Sequence, residues 1–186
     1  MSDNLQLFTA LKDFIGFTDA DAANLRALAP VFATHGRAIT ESFYQRLEVN
    51  PETAPLIAGR VELLKATHLR WMSELFAGEY GEAYLGERLR IGLVHVRVGV
   101  KPWWVEAVIS FLRVACIELL EREVTDPALR TAYTKSLVHL LDLDLMLINL
   151  AYADERLDRL SQFTGMSRKL IERCVLQSGQ KPAPRG

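Results

Sequence analysis

Of the four histidines in the chain, His95 has the surroundings best suited to binding a metal. It lies on the apolar face of a predicted helix, between Ile91 and Val98, and Pro102 ends that helix soon afterwards. A tryptophan, Trp104, follows the proline. An imidazole that is close to a helix end and surrounded by apolar side chains can face a planar apolar cofactor and bind its metal through a ring nitrogen.

Two polar residues, Thr67 and His68, precede His95 by enough chain for a helix, a turn and a second helix. We expect both to face inward, so that they and His95 lie on opposite sides of one slot. This spacing is compatible with a heme site but does not by itself establish one. The other two histidines, His35 and His139, lie on apolar helix faces, where a histidine hydrogen-bonded within the core is the preferred interpretation.

Several function classes are excluded or disfavoured. The sequence has no phosphate-binding glycine loop, no G-x-S-x-G turn and no H-E-x-x-H zinc motif. Its 22 Lys and Arg nearly balance 23 Asp and Glu, which argues against a nucleic-acid partner. Cys116 and Cys174 are isolated, as is typical of a reduced cytoplasmic protein. There is no signal-peptide pattern, and the longest apolar stretch, residues 137–152, contains charged side chains, so we expect a cytoplasmic chain without a membrane span.

The elements that would position these residues all have helical periodicity, which predicts an all-α fold. Pro30 and Pro51 separate the early segments, and Asp126 followed by Pro127 is a strong signal for a helix start. The predicted helices cover approximately residues 4–15, 19–29, 30–49, 60–77, 79–99, 103–123, 127–163 and 167–176.

The seventh predicted helix has two apolar stripes. One stripe consists of Leu137, Leu141, Leu145 and Ile148, and the other of Leu140, Leu143, Leu147 and Leu150. A helix that is apolar on two sides must bury both of them. It is then either a central core helix or part of a homodimer, in which the long C-terminal helices form a bundle between two chains.

The run of residues 91–104, IGLVHVRVGVKPWW, resembles the proximal motif of the globin-coupled sensor and protoglobin family, approximately I-G-x-x-H-x-R-x-G-x-x-P-x-W. The matched positions are Ile91, Gly92, His95, Arg97, Gly99, Pro102 and Trp104. Two further stretches, FYQRL from Phe43 and LLKATHLRWMSELFAG from Leu63, resemble the distal-side helix and the next long helix of the same family. The resemblance extends over about residues 19–152, most of the chain.

The resemblance implies a globin fold without the usual short D helix, with an extra N-terminal helix and heme b in the core. It implies that His95 is the proximal iron ligand and that the hydroxyl of Tyr44 donates a hydrogen bond to bound O2. Thr67 falls where several family members have a second distal hydroxyl, and Leu64 where an apolar residue lines the pocket. The other residues expected at the heme are His68, Ile91, Val98 and Trp104.

Three positions leave alternatives open. Tyr44 is either the distal donor or an amphipathic tyrosine at the edge of the core. His68 is best interpreted as unconnected to the iron, and the alternative is that it rotates inward as a sixth ligand or a second hydrogen-bond donor. Many family members have a tyrosine directly after the tryptophan of the motif, whereas this chain has Val105, so a signalling mechanism that uses that hydroxyl is in doubt here.

We therefore predict a heme-binding sensor globin domain over residues 1–155, a helical extension over 156–178 and a disordered tail over 179–186. The predicted function is reversible binding of O2, and also of CO and NO, with a signal that passes through the helices of a dimer interface. The family commonly joins its globin to a transmitter, and the chain after Tyr152 is too short to contain one. We therefore expect either the sensor half of a longer protein or a stand-alone sensor globin, with a downstream transmitter domain or protein as a possible partner.

Two alternative functions differ in class. A heme enzyme of the NO dioxygenase or peroxidase type would need electron delivery, and the sequence has no flavin or nicotinamide module. A helical interaction module without a cofactor would use the apolar stripes for dimerisation only, and it predicts a colourless protein.

Overall fold

The computed structural model describes residues 3–177. Within that range the chain has eight helices and no strand, which confirms the predicted all-α class. In chain order they are α1 (Asp3–Ile15), α2 (Asp19–Val49), α3 (Ala54–Ile57), α4 (Val61–Leu75), α5 (Glu82–Arg97), α6 (Pro102–Glu123), α7 (Pro127–Thr164) and α8 (Arg168–Gln177). The predicted disordered tail, residues 179–186, lies outside the described residues.

The N-terminal helix α1 is part of the core. Phe8 is fully buried, and its ring stacks near that of Tyr84 on α5, with centroids 6.5 Å apart. Lys12 extends from the last turn of α1 and donates a hydrogen bond to the carbonyl of Tyr80 at 3.0 Å. Helix α1 therefore packs against the helix that carries His95.

The predicted division of the second segment at Pro30 is wrong. Helix α2 is a single unbroken helix, Asp19–Val49, and Pro30 lies inside it. A proline in a helix interior removes one backbone hydrogen bond and costs about 3 kcal/mol. Leu25, Leu28 and Phe32, on either side of Pro30, are buried against the rest of the core. Their packing keeps the helix continuous, as tertiary contacts often do against local propensity.

The loops around α4 and α5 differ slightly from prediction. Residues 54–57, predicted as a turn, form the one-turn helix α3, and both α4 and α5 are shorter than their predicted spans. Gly99 follows α5 with a φ of 81°, a backbone conformation that residues with a side chain rarely adopt. Pro102 is the first residue of α6, so α5 ends and α6 begins within seven residues of His95.

Helix α7 is the central element, and it packs against α1, α2, α5, α6 and α8. It begins as predicted, because one carboxylate oxygen of Asp126 accepts hydrogen bonds from the backbone N–H groups of Ala128 at 2.7 Å and Leu129 at 3.1 Å. Helix α7 continues through residue 155, the predicted domain boundary, without a break.

Both apolar stripes of α7 are largely buried within a single chain. The buried members are Leu137, Leu141 and Ile148 of the first stripe and Leu140, Leu143 and Leu147 of the second. The interpretation as a central core helix therefore accounts for both stripes over this stretch. The two stripes therefore do not require a second chain to cover them. The dimer bundle stays a prediction, and it would have to use another surface of the protein.

Helix α7 is also the one helix in residues 3–177 that could cross a membrane by length and composition alone. Within its most apolar window, 56 % of the residues are buried inside the fold. Asp144 in this stretch is completely buried and forms an ion pair with Arg88 at 2.9 Å. Core helices of globular proteins meet the same criterion, so a single such helix is weak evidence for a membrane span.

Candidate cofactor site

A cavity of about 330 Å³ lies between α4 and α5, and residues of α2 and α6 complete its walls. This volume falls in the range of pockets that hold small-molecule cofactors. All eight residues that the sequence analysis assigned to the cofactor line this cavity: Tyr44, Leu64, Thr67, His68, Ile91, His95, Val98 and Trp104.

His95 lies in the last turn of α5, and its ring is oriented by its own helix. Nδ1 lies 2.8 Å from the carbonyl oxygen of Ile91, one turn earlier, so it carries the proton and donates to that oxygen. The lone pair of the neutral ring is then on Nε2. Burial lowers the pKa of His95, and the Ile91 carbonyl opposes this shift only in part. The imidazole is therefore neutral at physiological pH, the form in which histidine binds metals.

The helix that carries His95 approaches α7 very closely at Gly92. A Cβ atom at this position would lie 2.6 Å from the Cβ of Ala151 and 2.8 Å from the carbonyl oxygen of Ile148. Tyr152 supports the same region, because its hydroxyl donates to the carbonyl of Val100 at 2.9 Å. Only glycine permits this contact between the backbones, so Gly92 sets the distance between α5 and α7.

Tyr44, near the end of α2, lines the same cavity as His95. It is buried, and its hydroxyl makes no hydrogen bond to any residue in the described range. Burial raises its pKa to about 12, and the nearby charge of Lys65 opposes this shift. The phenol therefore keeps its proton at neutral pH and is available as a hydrogen-bond donor.

His68, on α4, is oriented by a residue of another helix. Its Nδ1 lies 2.9 Å from the hydroxyl of Thr40, and that hydroxyl donates its only proton to the carbonyl of Gly36 at 3.0 Å. The hydroxyl must therefore accept from His68, which places the ring proton on Nδ1 and the lone pair on Nε2. Of the two inward roles considered for His68, this tautomer favours the metal ligand over the hydrogen-bond donor.

The other ring nitrogen of His68, Nε2, is buried and has no hydrogen-bond partner among the residues that the structure describes. Burial lowers the pKa of the ring to about 4, so the imidazole stays neutral. The ring of Tyr44 meets it edge to face, with centroids 6.1 Å apart. A buried lone pair without a partner is costly in a folded protein unless a ligand satisfies it.

Thr67 differs from the sequence expectation, because its side chain is exposed at the rim of the cavity. Its hydroxyl donates to the carbonyl of Leu63 at 3.0 Å, within its own helix. Leu64, half-buried one turn before His68, contributes apolar lining as expected. The structure therefore supplies a distal hydroxyl more directly from Tyr44 than from Thr67.

The remaining predicted residues form the wall on the α5 and α6 side. Ile91 is half-buried, and Val98 is exposed at the rim. Trp104 lines the cavity, and its indole N–H donates to the carboxylate of Glu52 at 3.2 Å. Val105, directly after Trp104, is buried and also lines the cavity.

Sequence reasoning did not identify a buried polar network that borders the cavity. Asp144 of α7 accepts hydrogen bonds from the indole N–H of Trp71 at 2.8 Å, from the guanidinium of Arg88 at 2.9 Å and from the hydroxyl of Tyr84. Arg88 also donates to Glu74 at 2.7 Å. A signal for this network was present, because Arg88 lies on the apolar face of α5 and Asp144 inside an apolar run. Opposite charges on two core faces indicate a buried ion pair.

At one end the cavity is edged by charged side chains. Arg70 and Glu74 of α4 lie there with Glu87 and Arg90 of α5. Arg90 pairs with Glu87, and the charges of Arg90 and Arg70 contribute to lowering the pKa of Glu87. The rest of the lining is mainly apolar. An apolar slot with guanidinium groups at one edge suits a planar ligand that carries carboxylates.

The Protoglobin family model matches residues 4–158 of the chain. The chain belongs to the protoglobin family. The match begins in α1 and ends within α7, so it includes every helix that lines the cavity. Membership confirms the resemblance of the proximal motif and implies heme as the cofactor.

Known relatives agree with this assignment. The chain is 36 % identical over 92 residues to the heme-based aerotactic transducer HemAT of Halobacterium salinarum. That alignment covers 48 % of this chain and 19 % of the transducer, so this protoglobin spans about a fifth of the length of that relative.

Two solved structures are similar in fold. The globin domain of the Geobacter sulfurreducens globin-coupled sensor superposes with a TM-score of 0.75 at 30 % identity, over 77 % of this chain and 96 % of that one. The globin domain of E. coli DosC in its ferric form superposes with a TM-score of 0.66 at 17 % identity, over 78 % of this chain and 97 % of that one. The fold is therefore a globin of the sensor type.

The residues of the cavity fit a heme. In globins the heme iron is held by a histidine, the ring packs against apolar side chains, and cationic groups can pair with the heme carboxylates. His95 offers a neutral imidazole, and His68 offers a second buried Nε2 that lacks any partner in the described range. Among residues 3–177, no group of three or more His, Cys, Asp or Glu side chains could hold a metal ion.

Proposed function

We propose that this protoglobin is a gas sensor in which His95 binds the iron of heme b and the gas is taken up on the side of Tyr44 and His68. Heme b would supply the iron that binds O2, CO and NO reversibly. The observation that carries this proposal is that one apolar cavity is lined by His95 from α5, by Tyr44 from α2 and by His68 from α4.

His95 acts as the proximal ligand through Nε2. Its Nδ1–H bond to the carbonyl of Ile91 fixes the ring orientation and increases the basicity of the ligating nitrogen. Because Ile91 and His95 belong to the same helix, the orientation does not depend on a neighbouring element. His95 therefore keeps its geometry when the other helices shift.

Tyr44 acts as the donor that retains the gas. Its O–H group is protonated and has no protein partner in the described residues, so it can donate toward O2, whose outer atom gains negative charge on binding. Phe43 and Leu64 keep the surroundings apolar, which strengthens such a hydrogen bond. CO gains less negative charge, so Tyr44 discriminates in favour of O2.

His68 acts as an internal sixth ligand when gas is absent. Its tautomer, fixed by Thr40, presents a lone pair at Nε2, and no protein group in the described range satisfies that atom. His68 would then compete with the gas for the iron. The competition lowers the apparent gas affinity by the fraction of protein in which His68 is bound.

The signal passes to another protein or domain through α7. This helix contacts both α5, which carries His95, and α2, which carries Tyr44. The aerotactic transducer is much longer than this chain, so we assign the output to a transmitter joined to the chain or bound to it. The cytoplasmic location predicted from the sequence stays a prediction.

A homodimer would use the exposed apolar residues near the end of α7. Phe163 is 91 % exposed and Leu160 is 44 % exposed, unlike the two stripes in the middle of the helix. Sedimentation velocity of the wild type and of Phe163→Glu tests this surface. We expect a dimer that the substitution converts to a monomer, and a monomeric wild type contradicts the dimer.

The absorption spectrum of the purified protein tests the proposed function directly. It is recorded in the ferric state, after reduction with dithionite, and then under O2 and under CO. We expect a Soret band and a reduced form that binds both gases, and a six-coordinate reduced form without gas supports the role of His68. Absence of a Soret band after heme is added contradicts the proposal, and sustained NO consumption with a purified reductase points to an enzyme instead.

A further inference from the structure

The imidazole of His68 is packed against two aromatic rings. The centroid of the Phe43 ring lies 5.0 Å away, at an interplanar angle of 43°. The centroid of the Trp71 ring lies 5.1 Å away, at an angle of 38°. Both aromatic residues also line the cavity. The position of His68 therefore depends on where these two rings are held.

Trp71 is held by a group on a different helix. Its indole N–H donates to one carboxylate oxygen of Asp144 at 2.8 Å, and Asp144 is completely buried in α7. A hydrogen bond to an ionised carboxylate is shorter and stronger than one between neutral groups. In this buried setting it fixes the plane of the indole as well as its distance from α7.

The carboxylate of Asp144 is itself immobilised. Its second oxygen accepts from the guanidinium of Arg88 at 2.9 Å and from the hydroxyl of Tyr84, both on α5. Arg88 is completely buried and also donates to Glu74 on α4. Asp144 thus connects α4, α5 and α7, and the indole of Trp71 is the member of this network that touches His68.

We propose that Trp71 is a positioning residue for His68: the hydrogen bond to Asp144 fixes the indole, and the indole confines the imidazole so that Nε2 stays on the cavity. The hydrogen bond to Thr40 sets the tautomer of His68, and the contact with Trp71 limits the rotation of its ring. The inference rests on the proposed function for its consequence at the heme. The side-chain geometry itself can be tested with or without the cofactor.

The decisive variant is Trp71→Phe, which keeps an aromatic ring and removes the N–H donor. The matched control is Trp103→Phe, the same change at a tryptophan that is 57 % exposed. Nitrogen-15 NMR of the histidine side chains is recorded for heme-free protein and for reduced protein under CO. His35, half-buried and paired with Glu123 at 3.5 Å, serves as an internal reference.

We expect one set of His68 resonances in the wild type and in Trp103→Phe, with the proton on Nδ1. In Trp71→Phe these resonances shift or double, while those of His35 stay in place. Unchanged His68 resonances in a folded Trp71→Phe protein overturn the proposal. If that variant does not fold, the wild type decides: the indole N–H of Trp71 must exchange slowly and show nuclear Overhauser contact with the His68 ring. Fast exchange or no contact overturns it.

The same variants separate this inference from the proposed function. In heme-loaded, reduced protein without gas, Trp71→Phe shifts the ratio of six- to five-coordinate spectra, and Trp103→Phe does not. An unchanged ratio, despite displaced His68 resonances, overturns the link between Trp71 and the heme. A wild type that binds no heme contradicts the proposed function, and the heme-free spectra still decide whether Trp71 positions His68.

Discussion

The two histidines of the cavity are oriented in different ways. His95 donates from Nδ1 to the carbonyl of Ile91, four residues earlier in the same helix. His68 donates from Nδ1 to the hydroxyl of Thr40, which lies 28 residues earlier on another helix. Both rings end up neutral, with the lone pair on Nε2. The imidazole of His95 is thus fixed by local structure, and that of His68 by the packing of α4 on α2.

The two sides of the cavity therefore differ in how strongly their histidines depend on neighbouring helices. A carbonyl of the same helix moves together with His95, so that orientation survives helix movements. The orientation of His68 depends on α2 and α7 as well as on its own helix, because Thr40 and Asp144 belong to neighbouring helices. Under the proposed function, the side of the cavity that carries His68 is the element whose arrangement would respond to the ligand.

The largest expected effect is the loss of the proximal ligand. In His95→Ala the iron loses its nitrogen ligand from α5, so we expect loss of the normal heme spectrum and of heme retention on a desalting column. Added imidazole should restore part of the spectrum by filling the space of the lost ring. His35→Ala is the control, because His35 lies away from the cavity. A native spectrum in His95→Ala refutes the assignment.

The second effect concerns the support of the distal wall. Asp144→Ala leaves the guanidinium of Arg88 buried without its main partner, which costs about 3–5 kcal/mol of unfolding free energy. Asp142→Ala, on the same helix, breaks the partly exposed pair with Arg113 and costs about 0–1 kcal/mol. Urea denaturation of both variants measures the difference. Equal losses would mean that the buried network does not stabilise the fold more than a surface pair.

The proximal wall is tested through its contact with α7. Gly92→Ala forces a Cβ against the backbone of Ile148 and should cost about 1–3 kcal/mol, because the helices must separate. Gly86 is on the same helix, and a Cβ atom there would have no other atom within 4 Å. Gly86→Ala should therefore stabilise the folded protein by about 0.5–1 kcal/mol, because alanine lowers the conformational entropy of the unfolded chain. Thermal denaturation of the two variants in parallel shows whether each substitution raises or lowers stability. Stabilisation by both substitutions contradicts the close approach.

The hydrogen bond between His68 and Thr40 can be removed by a substitution that barely changes the shape of the side chain. Thr40→Val leaves the buried Nδ1–H of His68 without an acceptor, at a cost of about 1–3 kcal/mol. Thr34→Val, on the same helix, also loses a bond to a carbonyl four residues earlier, but its side chain is exposed. We expect Thr34→Val to change stability by less than about 0.5 kcal/mol. Urea denaturation compares the two, and similar values would show that the bond to His68 adds nothing.

The smallest expected effect is on gas release. Tyr44→Phe removes one hydrogen-bond donor without changing the ring, so we expect O2 to dissociate about tenfold faster, equivalent to about 1.4 kcal/mol. Stopped-flow release of O2 measures this rate, and CO release should change less. An unchanged O2 rate together with an altered CO rate contradicts the donor role of Tyr44.

Much of the architecture was predictable from the sequence. Apolar periodicity identified the helices, and Asp126 with Pro127 marked the start of α7, because these signals act within one or two turns. The division at Pro30 was wrong for the opposite reason. The penalty of a proline is local, whereas the burial of Leu25, Leu28 and Phe32 that outweighs it depends on other helices.

The sequence by itself determined the type of fold and the position of His95 near a helix end, because helical periodicity and helix-end signals act within one or two turns. Only the tertiary structure decided which way His68 faces and that Trp71 and Asp144, 73 residues apart, are joined. Those contacts arise when buried polar groups from separate helices must satisfy one another away from water. No periodicity within one segment encodes that requirement.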